Sequence, residues 1–226
     1  MIAALGPFFA VDQHAPGSLA EPPWHSMAEL VDDPSVLRER ITQTRAYLGA
    51  VSGQEPDAIE VRVAASVTHL GLVARLISPA LAAAVLDNRV PILSLAQLHW
   101  QPVLGGAFPL SLPELPPATP DNLVERLQLE LLNGPVAAVT RAFEISAHIL
   151  VGNVASALNG AATAIANAAP TLAEPAHTLT TQLLSTASLR SSHTTDPFRR
   201  RSCCLIYRAA PAHNGPLCAD CTLDHD

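Results

Sequence analysis

The residues of this sequence best suited to chemistry are four cysteines. They stand as Cys203-Cys204, thirteen intervening residues, then Cys218-Ala219-Asp220-Cys221, and no cysteine precedes them. Cysteine used as core filler would be scattered along the chain. Gathered in one segment, four thiolates form a ligand set for zinc or iron. The opening run, MIAALGPFF, has no basic region and is broken by Gly6 and Pro7, unlike a secretory leader. The expected location is therefore the cytoplasm, where clustered cysteines read as metal ligands before structural disulfides.

The spacing bears on which metal. A Cys-x-x-Cys turn aims two thiolates at one point, and this suits both zinc and iron–sulfur sites. Zinc ordinarily takes a second pair with a similar gap, whereas the second pair here is adjacent. Neighbouring side chains of an extended backbone point to opposite sides, so adjacent cysteines grip a single ion poorly. A two-iron cluster is larger and presents ligand positions in different directions, and four thiolates are its usual set. The spacing favours [2Fe–2S], with a structural zinc ion and a redox disulfide as alternatives.

The string FRRRSCCLIYR…GPLCADCTL resembles the C-terminal signature of the FhuF-type ferric-siderophore reductases. These pair Arg-Arg-x-Cys-Cys-Leu-x-Tyr with a following Cys-x-x-Cys. The specific match runs from Phe198 to Leu223, and the segments ASVTHLGLVARLISPALAAAVL and LVGNVASALNG are similar more weakly. The gap of thirteen residues is longer than the family's. The extra residues fall in the loop 209–216, and a longer loop costs little to close. The resemblance implies a cytoplasmic oxidoreductase with a [2Fe–2S] cluster on Cys203, Cys204, Cys218 and Cys221. Its partners would be a ferric siderophore and a cellular electron donor. The competing expectation is a protein without redox activity, which binds a siderophore or a partner and keeps zinc in the four-cysteine site.

Arg199, Arg200 and Arg201 precede the cysteines and Arg208 follows them. Such charges could offset a thiolate cluster or dock an anionic partner; a solvated basic run is the plainer reading. Tyr207 could pack over the site. His69 and Arg75 are six apart and do not share a helix face well. His148 and Asn153 read as buried polar groups with satisfied hydrogen bonds, or as part of a siderophore pocket. His213 alone does not make a Rieske-type ligand set. No nucleotide motif is present, and a net charge of −7 argues against nucleic acid. Every basic residue among the 13 is Arg, so lysine chemistry is excluded.

These residues need elements to position them. An Ala- and Leu-rich chain favours helix, which predicts a mainly helical α+β fold with a small β element. The expected organisation is a helical body over 1–189, with a strand-rich insert near 90–118, and a cluster-binding segment over 190–226. Residues 1–25 read as an irregular arm. Helix is expected over 26–48, in two pieces around Pro34 with Asp33 as cap, and over 56–88, kinked or split at Pro79. Strands are expected at 92–98 and 108–112, joined through Gly105-Gly106. Helices follow from Thr119-Pro120-Asp121 to Leu132, from Pro135 with a break near Asn159-Gly160, and over 174–188. The 29 positions 145–173 carry no Asp, Glu, Lys or Arg and are long enough to span a bilayer. Their Ala, Asn and Pro content points instead to a buried helix and no stable membrane span.

Overall fold

The computed structural model describes residues 2–90, 94–114 and 122–223. Helix makes up 58% and strand 8%, the mainly helical fold with a small β element that the composition predicts. Helix α1 (Glu29–Asp32) ends at Asp33, whose carboxylate accepts from the Ser35 amide to cap α2 (Pro34–Ser52) with proline in the first turn. Helix α3 spans Val61–Asp87. After α4 (Leu123–Leu127), capped by Asn122, a π-helical segment Gln128–Val136 bends at Gly134 into α5 (Ala137–Ala142). Helices α6 (Ala147–Ala168) and α7 (Ala173–Leu184) complete the body. Alanines and glycines let α3 lie against α6, which packs on α7, while α2 covers another side of α3.

Two helices, α3 and α6, are long and apolar enough to cross a membrane. Within their most apolar windows, 67% and 56% of residues are buried in the protein. This is compatible with the absence of a stable span, since their apolar faces meet one another in the core.

Four short strands form a sheet in the order β1-β4-β3-β2. They are β1 (Asp12–His14), β2 (His25–Ser26), β3 (His99–Trp100) and β4 (Leu110–Pro113). β1 runs parallel to β4, and the other pairings are antiparallel. Arg75 of α3 holds the approaches to both partners of the parallel pair. Its guanidinium donates to the carbonyls of Phe8 (2.6 Å), Ala10 (2.9 Å) and Phe108 (2.9 Å).

Several expectations need correction. The N-terminal segment is no irregular arm, because Phe9 is buried and residues 12–14 add a strand. α3 passes through Pro79 as one helix; burial of Leu76, Ile77, Ala80 and Leu81 around it outweighs the ladder bond that proline cannot donate. The insert does pair across Gly105-Gly106, but its first strand lies at His99–Trp100, after a 3-10 turn at Leu95–Gln97. α6 runs unbroken through Asn159-Gly160; the interruption comes earlier, between Ala142 and Ala147. The expected strand start near Ile92 and the Thr119-Pro120-Asp121 cap lie outside the described residues. Beyond α7, β5 (His193–Thr195) and β6 (Phe198–Arg200) form an antiparallel hairpin that opens the expected cluster-binding segment.

Candidate metal centre

β6 delivers the chain to Cys203 and Cys204. The Arg200 amide donates to the Asp220 carbonyl (3.0 Å), and this ties the strand to the turn carrying Cys218 and Cys221. That turn is closed by the Cys221 amide on the Cys218 carbonyl at 3.0 Å. After Cys204, Leu205 adopts a left-handed conformation with φ of 68°, unusual for a branched residue. The turn aims the Leu205 amide at the Cys203 sulfur (3.3 Å), and the Leu223 amide reaches the Cys221 sulfur in the same way (3.4 Å). Both amides lie two residues beyond the cysteine they serve. The segment between Cys204 and Cys218 is pinned to the body: Arg208 pairs with Glu60, and Gln54 donates to the Ala209 carbonyl (2.7 Å).

The four thiols gather at separations of 3.5–4.3 Å with no disulfide among them. Cys204 and Cys218 are 3.5 Å apart. Cys204 and Cys221 are buried, while Cys203 and Cys218 are half-buried. Such separations match the edges of a tetrahedron around one zinc ion, about 3.8 Å for Zn–S bonds of ~2.3 Å. Even so, no group of three or more Cys, His, Asp or Glu among the described residues could hold one ion as it stands. Four thiolates are also the ligand set of a two-iron cluster.

Cys204 and Cys218 are shifted in opposite directions. Cys204 is drawn down to about 5, first by the hydrogen bond from the Cys218 thiol and then, against the cost of burial, by the Arg200 guanidinium. Cys218 is pushed up because it donates that bond and because it is buried. The opposite shifts favour a single proton shared between the two sulfurs. Arg200 is 1% exposed, donates to the Cys218 sulfur and bridges to Asp220 at 3.1 Å.

Arg200 also opens a chain of buried polar groups into the body. Its Nη1 donates to Asn153 Oδ1 on α6 (3.2 Å). Asn153 Nδ2 donates to the Ser66 carbonyl (3.0 Å) and lies 3.4 Å from His69 Nδ1, both on α3. His69 Nε2 meets the Thr140 hydroxyl (3.1 Å), which donates to the Val136 carbonyl (2.7 Å). Gly152 makes this junction possible. A Cβ there would run into the Ser202 hydroxyl, so only glycine lets the cysteine segment close onto α6.

The structure brings all four predicted cysteines together. It separates the four arginines, and burial takes Arg200 out of any docking surface. Arg208 is neutralised by Glu60, Arg199 is half-buried with Nη1 on the Cys221 carbonyl (3.2 Å), and Arg201 is exposed. Asn153 is a satisfied buried group, as its setting predicts. His148 is exposed and meets the Arg201 carbonyl at 3.0 Å, so it is not the buried group expected. His69 and Arg75 face different partners. Tyr207 lies in a 3-10 turn at Ile206–Ala209, and His213 sits 3.6 Å from Glu60. Ser66, Thr140, Asp220 and Glu60 escaped the sequence reading, because nothing local marks a polar residue that a distant segment will cover. Compared with models of known families, with curated proteins and with solved structures, the chain matches none.

Proposed function

We propose that this chain binds a [2Fe–2S] cluster through Cys203, Cys204, Cys218 and Cys221. Through it, the chain reduces siderophore-bound Fe(III) to Fe(II) in the cytoplasm, as a ferric-siderophore reductase. The observation that carries the reading is the gathering of the four thiols within 3.5–4.3 Å without a disulfide, beside the buried Arg200 guanidinium. Two adjacent cysteines facing a Cys-x-x-Cys turn suit a pair of irons with two thiolates apiece. The resemblance of Phe198–Leu223 to the FhuF-type signature points the same way.

When bound, the cluster supplies one-electron chemistry with no need for a proton-transfer group. The chain's residues set its conditions. Arg200 keeps positive charge beside the thiolates, where an added electron is otherwise repelled. The Leu205 and Leu223 amides stabilise the sulfurs of Cys203 and Cys221. Cys203 and Cys218, half-buried, leave an edge within reach of a partner, and Arg199, on the Cys221 carbonyl, adds positive charge beside the site. The substrate is Fe(III) held by hard oxygen donors. One electron from a cellular donor turns it into Fe(II), for which those donors have a weaker grip. The second reading, structural zinc in a siderophore- or partner-binding protein, is favoured by thiol separations near a zinc tetrahedron's edge.

Protein purified without oxygen distinguishes them. The expected result is a red-brown protein with two irons per chain and a rhombic paramagnetic signal after dithionite reduction. Mixed with ferrioxamine and a ferrous chelator, the reduced protein should lose the signal as Fe(II) is trapped. Changing any one cysteine to Ser should remove both behaviours. A colourless protein with stoichiometric zinc, which iron and sulfide do not replace, would falsify the proposal.

A further inference from the structure

Two groups besides the sulfurs compete for the Arg200 guanidinium. Asp220, in the Cys-x-x-Cys turn, bridges to Nη2 at 3.1 Å and is partly exposed. Asn153, on α6 and fully buried, accepts from Nη1 at 3.2 Å. A guanidinium is a rigid planar fork, so fixing one nitrogen fixes where the other points. With Nη1 on Asn153, Nη2 reaches the Cys218 sulfur at 2.5 Å.

The Asn153 amide has one satisfactory orientation. Its Nδ2 faces the Ser66 carbonyl (3.0 Å) and the Ser66 hydroxyl (3.3 Å) on α3. Turned over, its oxygen would confront that carbonyl and its NH2 would confront the guanidinium, acceptor on acceptor and donor on donor. Ser66 is itself fully buried, so the amide is seated where α3 packs against α6. The helical body thus aims the Asn153 oxygen at Arg200. Being neutral, Asn153 orients the cation without offsetting its charge, as Asp220 does.

We propose that Asn153 is a positioning residue of the reaction: by fixing Arg200 against Cys218, it makes the cysteine centre easier to reduce. This rests on the [2Fe–2S] reading above. Reduction adds one negative charge, and a positive charge held close in a buried setting stabilises it. Without Asn153, Nη1 loses its acceptor on the body, while Asp220 remains to draw the guanidinium toward itself. The cation is then less fixed and more fully offset, and the reduced state loses stabilisation.

The full chain, reconstituted with iron and sulfide without oxygen, is equilibrated against a redox dye, and the reduced fraction is read at a fixed solution potential. Asn153→Leu, similar in size, should lower the ratio of reduced to oxidised cluster about tenfold, equivalent to about 59 mV for a one-electron couple. Arg200→Gln should lower it at least as far, and adding Asn153→Leu to Arg200→Gln should change it no further. A residue that serves only packing would lower the melting temperature in both backgrounds and leave the ratio where it was. Should Asn153→Leu fail to fold, Asn153→Ser, which is smaller and falls short of Arg200, supplies the same comparison. A ratio unchanged or raised by loss of Asn153, or a fall just as large beside Arg200→Gln, would overturn this proposal and leave the cluster standing. A chain that takes up zinc and no iron–sulfur cluster would overturn the proposed function, and this proposal with it.

Discussion

The line of contacts from Arg200 through Asn153 and His69 to Thr140 assigns each proton a place. Thr140 gives its hydrogen to the Val136 carbonyl, so its oxygen is free to accept from His69 Nε2. Nδ1 then carries the lone pair that faces Asn153. A second proton on His69 would confront the Asn153 amide with another donor. Burial alone already holds His69 down to about 4, against an ordinary 6.5. The unfolded chain therefore takes up a proton on this residue near pH 6.5, and the folded chain only near 4. Stability from neutral His69 is complete above pH 6.5 and is lost as pH falls toward 4, by up to about 3 kcal/mol. Burial lowers His99 and His193 too, so they act in the same direction. Urea unfolding of metal-free protein at pH 7 and pH 4.5 isolates the His69 share: the loss should be smaller in His69→Gln than in the parent. Equal losses would show that the buried imidazole does not drive acid sensitivity.

At the scale of elements, the junction of α6 with the cysteine segment rests on a missing methyl group. Ser202 is 5% exposed, and its hydroxyl is buried without a partner among the described residues. Gly152→Ala would push a Cβ into that hydroxyl, although it would stand at an ordinary 3.4 Å from the Ser202 Cβ. The single change should lower the melting temperature and loosen metal binding, at a cost of about 1–2 kcal/mol. Ser202→Ala alone should be close to neutral, since it removes an unsatisfied group. The double variant should recover most of the loss. Additive effects in this cycle would mean that the two residues do not collide.

Helix starts such as Asp33-Pro34 were legible because capping chemistry is local, and so was the cysteine motif, whose ligands lie close in sequence. The β5–β6 hairpin was not. His193–Thr195 and Phe198–Arg200 lack alternating apolar residues, and their register comes from bonds to Ser192 and Asp220. Arg200 reads as one of three solvated arginines until Asn153 and Asp220 are placed beside it. α6 stays continuous through the exposed Gly160 because Leu158, Ala161, Ala162 and Ile165 on either side are buried, which no helix propensity encodes.

For the molecule as a whole, the least legible feature is the parallel pairing of β1 with β4, which joins Asp12 to Ser111 across the length of α2 and α3. Helices form from near neighbours, whereas this pairing must close a loop of nearly a hundred residues. Arg75 draws both sides together through Phe8, Ala10 and Phe108. The three bonds cannot exist until both chain segments have arrived, so they belong to the last moments of folding and the first of unfolding. Arg75 is then less a determinant of how fast the protein forms than of how long it lasts. Arg75→Met should leave the refolding rate within about twofold and raise the unfolding rate on the order of a hundredfold. Stopped-flow denaturant jumps measure both, and slowed refolding would place the clasp early instead. A contact of this kind gives a modest helical protein a long residence in its native state, set by a gate that only the finished sheet can shut.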